Sequence, residues 1–112
     1  MSQPYIPQKG DIVWLQFNPQ AGHEQAGLRP AIVLSPSSYN LKVGLALVCP
    51  ISSQVKGYPF EVAVSKNEIQ GVILADQMKS LDWRKRNIQF ISKADSNIVS
   101  SVIGKFNALL QA

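Results

Sequence analysis

The residues best suited to chemistry lie in one short segment, residues 22–30, which leads into an apolar run. It contains an imidazole (His23), a carboxylate (Glu24) and a guanidinium (Arg29). The planar, permanently charged fork of Arg29 fits the oxygens of a phosphate. His23 ionises near neutral pH, and it or Glu24 could exchange a proton. This combination favours chemistry on a phosphate, although His23 could be plain surface and Arg29 could form a structural salt bridge with Glu24 or Asp76.

Two hydroxyl groups are the next candidates, because Ser52 and Ser53 follow an apolar run that we expect to be a buried strand. Such a hydroxyl could donate a hydrogen bond to a phosphate or relay a proton, whereas serines in loops are more often turn formers. His23 is the only histidine and Cys49 the only cysteine. These counts exclude a two-histidine ribonuclease mechanism within one chain and a metal site built on cysteines or three histidines. Cys49 lies in an apolar run, so we interpret it as a small core residue.

Length and composition indicate one globular domain, residues 1–112, with 46% hydrophobic and 16% charged residues. A chain of this size can bury its own core. No apolar run approaches the roughly 18 residues that a membrane helix needs, and the N-terminus lacks the layout of a signal peptide. We therefore expect a cytoplasmic protein without a membrane partner. The formal net charge of +4 permits a polyanionic partner but does not require one.

Basic residues cluster in one part of the sequence, where Lys79 and Arg86 bracket further cations, and Lys56 lies in a separate loop. These charges could contact a nucleic acid or could simply be solvated. Asp76 and Gln77 follow another apolar run, so both side chains are expected at the end of a strand, where Gln77 could read a base edge.

Aromatic side chains offer a second mode of nucleic-acid binding, which is stacking on bases. Phe17 and Tyr58 adjoin loops, which makes them better stacking candidates than the two tryptophans, Trp14 and Trp83. Aromatic residues are nevertheless more often part of a core or an interface.

Short strands are predicted to position these candidates. Alternation and compact apolar runs predict seven strands, at residues 12–17, 31–34, 45–49, 60–64, 72–75, 79–83 and 88–91. Pro50 is expected to end the third strand, and residues 35–40 could hold a short helical turn. Seven short strands at close spacing indicate a mainly β fold, either a small barrel or a strongly bent sheet.

The end of the chain changes from strand to helical periodicity. Apolar residues recurring at helical spacing predict a C-terminal helix at about residues 94–110. Ser92 and Asp95 resemble a capping box, and Asp95 itself could be the cap. Gly104 weakens the middle of this helix and could allow close packing on the sheet.

The ordered motifs resemble those of the MazF/PemK/Kid toxins of bacterial toxin–antitoxin pairs, and the MazF branch fits best. The matching blocks cover most of the chain and read GDIVW at 10–14, GHEQAGLRPAIVLS at 22–35, YN at 39–40, PISS at 50–53, KGYPFEV at 56–62 and GVILADQMKS at 71–80. The resemblance implies an SH3-like, CcdB-type β-barrel with a C-terminal helix, assembled as a homodimer. It also implies an endoribonuclease that needs no metal or cofactor and cuts single-stranded RNA at short sequences. Its products carry 2′,3′-cyclic phosphate and 5′-hydroxyl ends, and a MazE-like antitoxin covers the RNA groove.

The same resemblance assigns the catalytic roles. Arg29 would hold the scissile phosphate, and Ser52, where the family usually has threonine, would assist the leaving 5′-oxygen. Glu24, together with His23, would help to activate the 2′-hydroxyl. Leu74 stands where Kid-like members have an arginine, which favours the MazF-type arrangement centred on Arg29 and Ser52.

RNA contacts are expected beyond this catalytic group, with Lys56, Lys79 and Arg86 positioning the backbone. The loops at 18–28 and 53–58 would read the bases of an unpaired strand. The complete set of RNA-binding candidates is Phe17, Ser53, Lys56, Tyr58, Asp76, Gln77, Lys79 and Arg86.

Two alternatives remain on the same fold: a gyrase poison of the CcdB type, which acts by binding protein, and a catalytically inert family member that only binds its antitoxin or a nucleic acid. The chain ends in NALLQA and lacks the C-terminal aromatic residue on which gyrase poisons depend. A gyrase poison would also have no need of Arg29 and Ser52.

Overall fold

The computed structural model describes residues 4–17 and 27–112. These residues form seven strands, two α-helices and two short 3₁₀ turns, at Ala75–Gln77 and Trp83–Lys85. The strands are β1 (Asp11–Gln16), β2 (Leu28–Val33), β3 (Ala46–Ser52), β4 (Glu61–Lys66), β5 (Ile69–Leu74), β6 (Lys79–Leu81) and β7 (Gln89–Lys93). The helices are α1 (Ser37–Val43) and α2 (Ser96–Leu110).

All the paired strands run antiparallel, in the order β4-β5-β3-β2-β1-β7, and β6 also pairs with β3. Strand β3 is central, because β2 flanks one side while β6 and then β5 flank the other. The sheet curls into a half-barrel with α2 at the end of the chain, so the prediction of a mainly β fold with a C-terminal helix is confirmed.

The two faces of the curled sheet bury separate apolar clusters, and β1 contributes to both. Ile12 belongs to one cluster, while Val13 and Leu15 belong to the other, as the alternation of side chains along a strand requires. Helix α2 covers the first cluster with Val102, which is fully buried. None of the described helices is long and apolar enough to cross a membrane.

Two details of the predicted elements are wrong. Strand β3 does not end at Pro50 but continues to Ser52. Pro50 lies where β3 exchanges β6 for β5 as its neighbour, a place where a residue without an N–H is tolerated. Gly104 does not serve close packing, because a Cβ atom there would meet no heavy atom within 4 Å.

Smaller features follow the sequence more closely. The suggested helical turn is the first part of α1. Asp95 occupies the N-cap position of α2 but makes no side-chain capping bond. Its carboxylate instead contacts the ammonium group of Lys66 at 3.2 Å, an exposed pair of little energetic weight.

Candidate active site

Strands β2 and β3 bring the two principal catalytic candidates together. The strands pair with Ala31 opposite Pro50, and continuing that register by two residues sets Arg29 opposite Ser52. Side chains directly opposite each other in an antiparallel pair lie on the same face of the sheet. Both residues line one open cleft of about 550 Å³.

The cleft also contains residues that the sequence interpretation missed. One wall is formed by Glu68, in the turn between β4 and β5, and by Gln70, in β5. Gln54 continues the wall beyond Ser52. Trp14, interpreted from the sequence as a core or interface residue, contributes an apolar surface to the same cleft. No motif marks Glu68 or Gln70, because their approach to Arg29 depends on the pairing of distant strands.

The guanidinium of Arg29 is exposed and, within residues 4–17 and 27–112, forms neither a salt bridge nor a hydrogen bond. The suggested pairing with Asp76 does not form, since the carboxylate of Asp76 accepts a hydrogen bond from Tyr58 instead. No group among the described residues therefore competes with a ligand for the donors of this guanidinium.

Ser52 is a turn former and also lines the cleft, while its contact with a phosphate stays a prediction. Its Oγ accepts a hydrogen bond from the backbone N–H of Gln54 at 3.0 Å, which shapes the exit from β3. The same side chain is half-buried and lines the cleft beside Arg29, and Ser53 follows it on the cleft wall.

A glycine on the neighbouring strand fixes where Ser52 lies. A Cβ atom built on Gly71 would be 2.1 Å from the carbonyl oxygen of Ser52 and 3.3 Å from the Cα of Ser53. Only a residue without a side chain allows β5 to approach the end of β3 this closely.

Two of the RNA-binding candidates, Tyr58 and Asp76, contact each other. The hydroxyl of Tyr58 donates to Oδ1 of Asp76 at 3.0 Å, and Gln77 is the next residue on the same 3₁₀ turn. Partial desolvation, and then the hydrogen bond to Asp76, raise the pKa of the Tyr58 hydroxyl above its ordinary value. Tyr58 therefore stays a neutral hydrogen-bond donor at physiological pH. These residues do not line the Arg29 cleft.

The remaining candidates lie elsewhere on the surface. The ammonium group of Lys79 is 5.9 Å from the centroid of the Phe17 ring, at the outer limit of a cation–π contact. Arg86 is largely used within the chain: its Nε donates to Asp82, and Nη1 donates to the carbonyl oxygens of Gln16 at 3.0 Å and Phe17 at 3.1 Å. An RNA contact by Arg86 remains a prediction, and the structure shows a second role in anchoring the end of β1.

Two catalytic candidates, His23 and Glu24, lie outside the described residues. Across the part of the chain that is described, no three His, Cys, Asp or Glu side chains form a group that could hold a metal ion. Cys49 is fully buried, which agrees with its interpretation as a core residue. Burial, with a smaller effect of the Asp76 charge, raises the pKa of its thiol to about 12.

Comparison with known proteins gives consistent matches over nearly the whole chain. A family model described as PemK-like, MazF-like toxin of type II toxin-antitoxin system matches residues 8–110. The endoribonuclease toxin MazF of Escherichia coli strain K12 is 46% identical over 110 residues, covering 98% of this chain and 99% of that protein. The endoribonuclease toxin ChpB of the same strain is 31% identical, covering 93% and 94%.

Solved structures agree with the sequence relatives. The crystal structure of MazF from Deinococcus radiodurans (form I) superposes with a TM-score of 0.87 at 48% identity, covering 97% of this chain and 100% of that one. A crystal structure of MazE-MazF (form III) from the same organism also gives a TM-score of 0.87, at 46% identity, covering 96% and 98%. The chain therefore belongs to the family of PemK-like, MazF-like toxins of type II toxin–antitoxin systems.

Proposed function

We propose that this protein is an endoribonuclease toxin that cleaves single-stranded RNA at short sequences. The observation that carries the proposal is the Arg29–Ser52 pair in one open cleft, with the guanidinium of Arg29 unpaired among the described residues. A planar guanidinium fork beside a hydroxyl in an open cleft has the geometry to bind the oxygens of a phosphodiester. Relatives that are 46% and 31% identical bear the name endoribonuclease toxin, which supports the same activity here.

The chemistry follows from the groups in the cleft. The RNA 2′-hydroxyl attacks the adjacent phosphorus, and the bond from phosphorus to the 5′-oxygen breaks. Arg29 binds the non-bridging oxygens and stabilises the negative charge that grows on them in the transition state. Ser52 donates a hydrogen bond to the departing 5′-oxygen and relays a proton to it from a solvent water molecule, so that this oxygen leaves as a hydroxyl.

The proton of the attacking 2′-hydroxyl must pass to a base, and Glu24 together with His23 is our proposal for that role. The products are a 2′,3′-cyclic phosphate and a 5′-hydroxyl, and no bond change in this reaction requires a metal or a cofactor. The described RNA-binding candidates would hold the strand; among them Lys56 and Lys79 form no salt bridge within the described residues and could contact its backbone.

A protein partner and a location complete the proposal. MazF of Deinococcus radiodurans has been crystallised with MazE, and we propose a MazE-like antitoxin for this chain. The formal net charge of +4 favours an acidic partner segment that would compete with RNA. We further propose a homodimer that acts in the cytoplasm.

Substitution of Arg29 tests the proposal. Arg29→Ala should lower kcat/KM for RNA cleavage by about 10²–10³-fold, the usual effect of removing one donor that stabilises a transition-state charge. Arg29→Lys keeps the charge but loses the fork, so it should retain only part of the activity. Lys42→Ala removes one exposed charge from α1, away from the cleft, and serves as the control. Unchanged cleavage by Arg29→Ala would refute the assignment, and absence of cleavage by the folded native protein would favour a toxin that acts by binding protein.

A further inference from the structure

The loop at residues 53–59 is held by a carboxylate that the mechanism does not use. Glu61, the first residue of β4, accepts the backbone N–H of Lys56 on Oε2 and that of Gly57 on Oε1, each at 2.9 Å. Gly57 has a φ of +81°, the left-handed region that favours glycine. The Glu61 carboxylate thus accepts hydrogen bonds from two consecutive backbone N–H groups. In other proteins, such a pair of N–H groups can bind an anion from solution.

The carboxylate of Glu61 is the anchor at the tip of this loop. Nearer the ends, the Ser52–Gln54 turn secures one side, and a bond from the Lys105 ammonium to the carbonyl oxygen of Pro59, at 2.8 Å, secures the other. Among the described residues, the N–H groups of Lys56 and Gly57 donate to no other side chain.

The loop tip presents a cation, the ammonium group of Lys56. Lys56 is exposed, and its ammonium group forms no ion pair within the described part of the chain. Because Glu61 binds the backbone of Lys56 rather than its side chain, the ammonium group remains free to contact a phosphate. A cation on a disordered loop binds weakly because the loop must become ordered on binding. A cation on an ordered loop loses less conformational freedom and therefore binds more tightly.

We propose that Glu61 is a positioning residue for RNA binding, which orders the loop at 53–59 so that Lys56 meets the RNA backbone beside the Arg29 cleft. This inference rests on the proposed ribonuclease function and adds a residue that does not itself touch the substrate. The effect of Glu61 should therefore fall on KM, while the chemical step at Arg29 and Ser52 proceeds unchanged.

Glu61→Gln is the primary test, because it keeps the shape while removing the charge and replacing one acceptor with a donor. A charge-assisted hydrogen bond at such a site shifts an opening equilibrium by roughly ten- to a hundredfold. Hydrogen exchange at the Lys56 and Gly57 amides should accelerate by about tenfold or more. KM for RNA should rise several-fold, and kcat should stay within about twofold of the native value.

Two controls separate positioning from general damage. Asp95→Asn removes an exposed carboxylate away from the loop, whose partner is Lys66, and it should change neither the exchange of the loop amides nor KM. Lys56→Gln should raise KM without altering exchange of the loop amides. If Glu61 acts through Lys56, the double variant should bind RNA little worse than either single variant, so that the two losses are not additive.

Several outcomes would overturn the proposal: unchanged exchange at Lys56 and Gly57, a loss confined to kcat, or fully additive losses in the double variant. If Glu61→Gln does not fold, Glu61→Asp decides, since it keeps the charge but reaches at most one amide and should show the same defects in milder form. The exchange measurement needs no RNA. A native protein that cleaves no RNA therefore refutes the ribonuclease proposal, whereas normal cleavage by Glu61→Gln refutes only the role of Glu61.

Discussion

Gly71→Ala should reduce RNA cleavage although it removes no side chain that takes part in the reaction. The new methyl carbon would lie 2.1 Å from the carbonyl oxygen of Ser52 and 2.9 Å from its carbonyl carbon. Ordinary non-bonded contact needs about 3.4 Å or more, so the two backbones must separate by roughly 1.3 Å. Both atoms belong to backbone, which means that no side-chain rotation can relieve the clash.

The separation acts directly on the cleft, because β5 pairs with β3 at Ser52 itself, opposite Val72. Overpacking of this kind costs about 1–3 kcal/mol of folding free energy. A displacement of about 1 Å in a catalytic group can lower the rate by about 10²-fold. We therefore expect Gly71→Ala to fold and to show a kcat/KM lower by about one to two orders of magnitude.

Cleavage of a defined RNA, together with urea unfolding of the same samples, provides the assay. Gly104→Ala is the matched control: a Cβ atom there meets no heavy atom within 4 Å, and removing a glycine from a helix interior should stabilise the fold by up to about 1 kcal/mol. Its cleavage rate should equal the native rate. Native activity and native stability in Gly71→Ala would refute the close-approach reasoning. Lower stability with native activity would show instead that the position of Ser52 is unimportant for cleavage.

Three further results are expected. Ser52→Ala should lower kcat by about ten- to a hundredfold with little change in KM, because it removes a hydrogen bond made to the leaving oxygen. Ser52→Thr keeps the hydroxyl and should stay active. Single-turnover cleavage of a defined RNA distinguishes the two variants, and native kcat in Ser52→Ala would rule out the assigned role. The thiol of Cys49, buried and with its pKa raised to about 12, should resist alkylation at pH 8 in the folded protein and react fully in urea, as mass spectrometry can show. Because that pKa exceeds the ordinary thiol value near 9, the thiol's contribution to stability is complete below about pH 9 and is lost as the pH rises towards 12. Cys49→Ala should therefore reduce the decline in unfolding free energy at alkaline pH. It should not abolish the decline, because burial and the hydrogen bond to Asp11 also raise the pKa of Tyr5, which contributes in the same way. An unchanged decline would contradict the role of Cys49.

Local patterns in the sequence account for most of the fold. The alternation around Ile12, Val13 and Leu15 predicts a strand, and the structure places Ile12 in one apolar cluster and the other two residues in a second. Helical spacing predicts α2 because Val102 and its apolar neighbours must face the sheet together. These features depend only on the periods of helix and strand, which are visible in any short window of sequence.

The site needed long-range information that no local pattern contains. Residue type and family resemblance predict Arg29 and Ser52 as site residues, but their shared cleft arises from the register between β2 and β3. Glu68 enters the cleft because β5 pairs with the end of β3, and nothing adjacent to it in sequence indicates that position. The two glycines show the same limit: Gly71 permits a close approach that was not foreseen, whereas the packing role suggested for Gly104 is absent.

The most direct test of the central claim is cleavage of one long mixed-sequence RNA by the purified protein in excess EDTA, with chemical mapping of the product ends. We predict cuts at a small set of short sequences, each leaving a 2′,3′-cyclic phosphate and a 5′-hydroxyl, and their loss in Arg29→Ala. Intact RNA after incubation with folded, antitoxin-free protein, or products with 5′-phosphate ends, would contradict the account.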